Sequence, residues 1–255
     1  MSASASQISD RVPDRLKRKG RIWELEITDV RPVTATMHRV IATGPALSEF
    51  TVRPGQSLIL VLPQEGDGVD ARHYTVRSFD PKTRQIAIDV ALHGTRKTPA
   101  NRWVLSAEAG DRFAAVGPRG HVVLKEDATH HLICVDETGL PAAQAILEGL
   151  PAHASALALI EIGMPDSRQP IVESDRIEVR WLCRADGTAP GAALISALHD
   201  MPPQPDATHV YLAGETSAVR DQRRLLVSYG YAKTEISAEG YWRPGRNGGH
   251  DHIDD

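Results

Sequence analysis

The sequence predicts two domains of different class: an N-terminal antiparallel β-barrel over residues 21–126 and a C-terminal parallel α/β unit over residues 127–246. Three observations predict this division. Short β-rich runs bounded by Gly and Pro fill the first half. Continuous apolar runs alternate with helical stretches in the second half. The rhythm changes at 126–130, where the polar stretch EDATH separates the two patterns. A chain of 255 residues has room for two domains of ordinary size.

In the first half WELEITDV alternates apolar and polar residues, as a half-buried strand does. TATMHRVIA and SLILVLP are further strands. RHYTVRSF and QIAIDVALH flank DPKTR, a turn headed by Asp-Pro. DRFAAVG and HVVLKE are expected as the last two strands, separated by PRG. PANRWVLSA is the helical stretch of this half. In the second half HLICV is apolar throughout, as a strand buried on both faces is. LPAAQAILEGL follows as a helix with Pro141 in its first turn. SALALIEI, IEVRWLC and HVYLAG are strands, and GAALISALHDM and SAVRDQRRLLVSYG are helices. Residues 1–20, with Lys17, Arg18 and Lys19, and residues 247–255, with His250 and His252, read as solvated tails.

The composition excludes several classes. The formal charge of −4 provides no global basic field for nucleic acid. No apolar stretch approaches the roughly 18 residues of a membrane-spanning helix. The longest candidate, residues 154–162, reads as a buried strand. MSASASQISD lacks a signal-peptide apolar core, so the expected location is the cytoplasm. Cys134 and Cys183 both sit in apolar runs and read as buried free thiols. With no Cys-x-x-Cys pair, neither an iron–sulfur cluster nor another resident metal is expected. Any electrons handled here would leave an organic cofactor directly for an external acceptor.

Four strings carry candidate chemistry. RHYT (72–75) places a cation, a ring and a hydroxyl within four positions, with Arg72 and Tyr74 on one strand face. Such a set suits a flavin dinucleotide, the guanidinium meeting the pyrophosphate. An ordinary edge strand with a surface Arg gives the same string. DVALHG (89–94) ends a strand at His93, and TPANRW (98–103) opens a helix with Pro99 at its start. Helix N-termini present free N–H groups to phosphate. His93 reads equally as a turn residue. VDETGLPA (135–142) stands at the carboxyl end of a parallel strand, where ligand crevices form. Simple helix capping by its acids is the alternative. YLAGETSAVRDQRRLL (211–226) repeats a strand, Gly turn and helix, and carries Arg220, Arg223 and Arg224. That cluster suits a 2′-phosphate, or is a solvated basic face.

Taken together, these strings resemble the siderophore-interacting protein family, FAD-dependent ferric-siderophore reductases related to ferredoxin-reductase flavoproteins. RHYTVRSFD is similar to the family's Arg-x-Tyr-Thr-x-Arg strand, and DVALHG, PANRW and AGDRFAAVGPRG to its next block. VDETGLPA resembles its Gly-Asp-Glu-Thr-Ala-Leu-Pro-Ala turn. YLAGETSAVRDQRR and GYWRPG match its last two blocks. The blocks run in order over residues 21–246. Three positions depart from the pattern: Val135 stands for Gly, Gly139 for Ala, and Thr98 for Gly. The first two raise the question of an altered nicotinamide pocket.

The resemblance implies roles by position. Arg72, His73, Tyr74, Thr75 and Arg77 would hold FAD. Asp89, Ala91, His93, Thr98, Pro99, Ala100 and Trp103 would line the dinucleotide path. Asp136, Glu137, Thr138, Gly214 and Glu215 would frame the nicotinamide entrance. From the residues themselves, Arg184 at the end of IEVRWLC or Asp186 two residues later could face the adenosine ribose. With Arg220, Arg223 and Arg224 the cations outnumber the acid, which weights the donor toward NADPH over NADH. The implied reaction is reduction of a ferric siderophore to release Fe(II), by a monomer or weak dimer. Arg77, Arg243 and Arg246 are the candidate contacts to an anionic siderophore. A flavin- or siderophore-binding protein without efficient turnover, or a diaphorase with another acceptor, are the alternatives.

Overall fold

The computed structural model describes residues 8–63, 68–92, 98–201, 207–245 and 251–253. The chain forms two compact units. The first comprises residues 1–33, 37–52 and 56–119, and the second residues 34–36, 53–55 and 120–255.

The first unit is a closed six-stranded antiparallel barrel. Its strands are β1 (Arg21–Thr34), β2 (Met37–Thr43), β3 (Ser57–Pro63), β4 (Val69–Asp80), β5 (Gln85–Ala91) and β6 (Arg112–Arg119). They are ordered β1-β2-β5-β4-β3-β6, with β6 returning to β1. Alternation along each strand explains the core. Leu58, Leu60 and Leu62 of β3 point inward with Val40, Ala42, Ile86, Ile88 and Val90. The Trp23 indole N–H donates to the Gly117 carbonyl at 2.8 Å, tying β1 to β6 at the seam. Helix α2 (Pro99–Ser106) adds Ala100 and Val104 to the same core. Its start follows from its sequence: the Thr98 hydroxyl caps the Asn101 N–H, and Pro99 occupies the first turn.

Residues 8–20, expected as a tail, are ordered instead. A 3₁₀ turn and the short helix α1 (Asp14–Lys17) bury Val12 and Leu16 against Ile59, Val61, Ala114 and Val116. The cause lies on the barrel's outer wall. Those four strand residues are apolar on their outward row and need a cover.

The second unit contains a six-stranded sheet in the order β12-β11-β10-β7-β8-β9. The strands are β7 (His130–Asp136), β8 (Ser155–Ile162), β9 (Ile177–Cys183), β10 (Thr208–Glu215), β11 (Ile236–Trp242) and β12 (Asp251–His252). The five from β9 to β11 run parallel, and β12 adds an antiparallel edge. Helix α3 (Leu140–Glu148) covers one face through Leu140, Ala143, Ile146 and Leu147. Helices α4 (Ala192–Asp200) and α5 (Thr216–Ser228) cover the other through Leu194, Leu198, Val219 and Leu226. Residues 251–252, expected in a tail, form β12, and Ile253 is buried beside them.

Two further expectations are corrected. HVVLKE is not a strand. Its alternation is real, but Val122 and Leu124 enter the core of the α/β unit. Its backbone bonds to a loop instead of a ladder: Leu124 N donates to Pro54 O at 3.0 Å. Strand β6 meanwhile runs through Pro118 to Arg119. The two thiols also differ. Cys134 is buried, whereas Cys183 is exposed at the end of the sheet's edge strand.

Candidate functional site

On the barrel the candidate residues cluster on β4 and around α2. The register Leu60↔Arg72 and Leu58↔Tyr74 puts both side chains on the core-facing row. Tyr74 packs against the core cluster that includes Ala100, Val104 and Trp103 of α2. Burial raises its phenol well above the usual tyrosine range. Thr75 is buried at 5 % exposure, and His73 and Arg77 are half-buried. Arg77 falls at a break in the β4–β5 register between Val76 and Ser78. Arg72 is held by Asp70 at 2.7 Å and keeps 22 % of its side chain exposed. The guanidinium is thus aimed and still reachable. Burial pushes the Asp70 carboxyl above its usual range, while Arg72 pulls it down. Asp70 had a sequence signal: an acid two residues before Arg72 shares its strand face.

Asp89 is committed elsewhere. Both its oxygens accept from Arg39, at 2.6 and 2.7 Å, directly across the β2–β5 ladder. Its side chain has no exposed area, so it orders Arg39 instead of facing a ligand. Ala91 closes β5, Thr98 and Pro99 start α2, and Ala100 is buried. Trp103 packs edge-on to Phe113, with ring centres 5.4 Å apart. His93 lies outside the described residues, as does Arg246; Arg243 is half-buried. A cation, a ring, a small hydroxyl and a helix N-terminus on one unit form the donor set that a flavin dinucleotide requires.

On the α/β unit the site follows from topology. The chain builds β7, β8 and β9 toward one edge, then returns to lay β10 and β11 on the other side of β7. The crevice of such a sheet opens where the order reverses, at the carboxyl ends of β7 and β10. Those ends carry Asp136, Glu137 and Thr138, and Gly214 and Glu215.

Asp136 is the hub of this turn. Its Oδ1 accepts from the Thr138 N–H (2.8 Å) and hydroxyl (2.6 Å). Its Oδ2 accepts from the Glu215 N–H (2.9 Å) and the Trp242 indole (2.8 Å). Burial pushes its carboxyl up, and the four donors oppose that shift. Gly214 is required beside it: φ is +152°, and a Cβ there would lie 2.6 Å from the carboxylate. Glu215 caps α5 by accepting from the Ala218 N–H at 2.8 Å. Glu137 accepts from the Gly163 N–H at 2.9 Å, which ties the turn to the end of β8. The acids of this turn are therefore engaged within the protein and fix the shape of the turn. Trp242, to which the sequence assigned no role, closes the hub.

The two departures at this turn compensate each other in space. A Cβ on Gly139 would lie 2.8 Å from Val135 Cβ and 2.9 Å from the Ala213 carbonyl. Valine at 135 thus fills the volume that a larger residue at 139 would claim. Gly139→Ala should cost about 1–3 kcal/mol through overpacking. The cost should shrink in a Val135→Gly background, since only the Ala213 contact remains. A urea-denaturation double-mutant cycle measures this, and purely additive effects would show that the two positions are not coupled.

The basic helix divides. Arg220 is half-exposed, and Arg224 is exposed and paired with Asp221 at 3.3 Å. Arg223 is 4 % exposed and lies on the buried stripe with Val219, Gln222 and Leu226, so it cannot serve as a surface cation. Arg184 follows β9 and pairs with Glu161 at 3.1 Å. Among the described residues, no group of His, Cys, Asp and Glu could hold a metal ion. No described helix is long and apolar enough to cross a membrane.

The family model described as siderophore-interacting FAD-binding domain matches residues 67–122, and that described as siderophore-interacting protein matches residues 128–245. The chain belongs to the siderophore-interacting protein family. It is 32 % identical over 245 residues to the ferric vibriobactin reductase ViuB of Vibrio cholerae, covering 88 % of this chain and 90 % of that one. It is 26 % identical over 254 residues to the NADPH-dependent ferric-chelate reductase of Escherichia coli, covering 91 % and 97 %. A siderophore utilization protein from T. fusca has the same architecture, with a TM-score of 0.79 and 31 % identity over 90 % of this chain and 96 % of that one. The match spans 65 % of the length of uncharacterized mycobacterial relatives that are 35 % identical over 186 residues. The family's FAD-binding domain covers β4, β5, α2 and β6, where the barrel's donor set lies.

Proposed function

We propose that this chain is an NAD(P)H-dependent FAD enzyme that reduces ferric siderophores and releases Fe(II). The observation that carries the reading is the presence of two nucleotide-type sites, one on each unit of the chain. One is a dinucleotide donor set on a barrel, and the other is a switch-point crevice on a parallel sheet. The ferric vibriobactin and ferric-chelate reductase activities named for the V. cholerae and E. coli relatives support the substrate. When bound, FAD supplies the redox chemistry, taking hydride from a reduced nicotinamide and giving single electrons to Fe³⁺. The chain's own residues bind and orient. Arg72, steered by Asp70, meets the pyrophosphate, with α2 offering its N-terminus. Tyr74 provides the flat ring and Thr75 the small hydroxyl. The β7 and β10 turns, tied together by Asp136, shape the crevice for the nicotinamide nucleotide. No side chain is assigned as a catalytic acid or base. Siderophore oxygens hold Fe²⁺ far less well than Fe³⁺, so reduction itself frees the metal. The compensated packing of Val135 and Gly139 argues against a spoiled crevice, and so against a binder without turnover.

The purified protein should be yellow and prefer FAD to FMN. Under argon, NADPH should bleach it. A ferric siderophore should restore the colour while an Fe²⁺-specific chelator develops its absorbance. A protein that stays oxidised with both nucleotides would end the reductase reading. Arg72→Ala should weaken FAD binding by about 1.5–3 kcal/mol, the value of a charge-assisted contact. Unchanged affinity, read by flavin fluorescence titration, would remove Arg72 from the site.

A further inference from the structure

Glu161 is an acid inside an otherwise apolar strand, and it is 1 % exposed. A carboxylate buried this deeply is costly unless paired and hydrogen-bonded. Its Oε1 accepts from the Gly191 N–H at 2.8 Å and from Arg184 Nη1 at 3.1 Å. Its Oε2 accepts from the Ala193 N–H at 3.0 Å. Gly191 and Ala193 form the N-terminus of α4. The helix end therefore meets the carboxylate with two N–H groups and its positive pole. Arg184 is fixed by the pair and keeps part of its side chain exposed.

Position gives this cluster its meaning. In dinucleotide folds, an acid roughly 20 residues past the first strand–helix turn reads the ribose 2′-hydroxyl. Glu161 stands near that place, at the end of the strand beside β7. It cannot read a hydroxyl, because it is buried with both oxygens engaged. Arg184 remains at this edge with 29 % of its side chain exposed. Its backbone N–H is anchored on the Ile162 carbonyl at 2.9 Å. A Cβ on Gly163 would come within 3.4 Å of its Nη2, so the glycine leaves space beside that donor. The other acid near Gly163, Glu137, already accepts from the Gly163 N–H.

We infer that Glu161 is a positioning residue that holds Arg184 at the sheet's carboxyl edge to receive the 2′-phosphate of NADPH. The inference rests on the nicotinamide reading of the crevice, and makes the chain select the phosphorylated nucleotide. Glu161→Gln keeps the Arg184 charge while removing the opposing carboxylate charge and one of its two acceptor oxygens.

The test is equilibrium binding, by calorimetry at low salt, of adenosine 2′,5′-bisphosphate and of 5′-AMP. The wild type should prefer the bisphosphate by at least about tenfold. Glu161→Gln and Arg184→Ala should lose most of that preference, with 5′-AMP affinity held within about twofold. Arg184→Lys should keep part of it, since a point charge replaces a fork. Glu161→Asp, which retains the charge and shortens the reach, should show the same loss at smaller size. It decides the question if Glu161→Gln does not fold. In turnover, the KM for NADPH should rise by a larger factor than the KM for NADH. A wild type indifferent to the 2′-phosphate, or Glu161 variants that keep the full preference, overturns the inference. Bisphosphate selectivity without nicotinamide oxidation overturns the reductase reading and leaves this inference standing.

Discussion

Asp136→Ala should remove on the order of 3–5 kcal/mol of stability, because each buried donor left without an acceptor costs about 1–3 kcal/mol. Three donors lose the acceptor that Asp136 provides: the Thr138 and Glu215 N–H groups and the Trp242 indole. The Thr138 hydroxyl can turn elsewhere. Asp136→Asn should fall between, since an amide offers one acceptor oxygen where the carboxylate offers two. Equilibrium urea unfolding at pH 7, followed by far-UV circular dichroism, measures both. The KM for either nicotinamide should rise with the loss, because the β7 and β10 turns share this one anchor. A cost below about 1 kcal/mol for Asp136→Ala would mean that the turn holds without its hub.

Acid should destabilise the α/β unit before it affects the barrel. His209 is 7 % exposed and its ring bonds Ser237 at 2.9 Å. Burial lowers its pKa from 6.5 to about 4, with Lys125 and His131 adding to the fall and Asp127 opposing it. Burial also lowers His131, whose Nδ1 meets the Tyr211 hydroxyl at 3.0 Å. A histidine kept neutral in the fold binds its proton more readily when unfolded. Its contribution is therefore intact above pH 6.5 and is lost as pH falls from 6.5 toward 4. For His209 alone the loss reaches roughly 3 kcal/mol at the acid end. His209→Gln, whose amide can still bond Ser237, should flatten this slope relative to the wild type. Urea midpoints at pH 7.5, 6.5, 5.5 and 4.5 supply the comparison. Parallel curves for the two proteins would assign the acid loss to carboxylates instead.

The barrel and the parallel sheet were legible because both rest on periodicity. Alternation in WELEITDV and SLILVLP marks strands with one buried face, and HLICV marks a strand with two. HVVLKE misled for the same reason: Val122 and Leu124 alternate correctly, but against the core of the other unit. No local pattern names the core that a segment joins. Residues 8–20 misled in the opposite way. Their charge count hides two apolar residues whose partners are the outward row of β3 and β6. The candidate strings name residue types but not the partners those residues take. Asp89 and Asp136 carry the residue type of a ligand contact, yet Arg39 occupies one and four donors occupy the other. Apart from the two donors of neighbouring Thr138, these commitments depend on partners 50 to 106 residues away. Glu161 had a local signal, an acid in an apolar strand, although its partners become visible only in space.

The hub has a consequence for how the protein is made. Asp136 closes on Glu215 and Trp242, which follow it by 79 and 106 residues. Synthesis at about 5–20 residues per second puts Trp242 roughly 5–20 s behind Asp136 on the ribosome. Every strand of the barrel precedes both residues in the chain. A nascent chain that has closed its barrel therefore lacks the floor of its crevice until the last parallel strand docks. A chain that ends before Trp242 therefore lacks the indole that completes the donor set around Asp136.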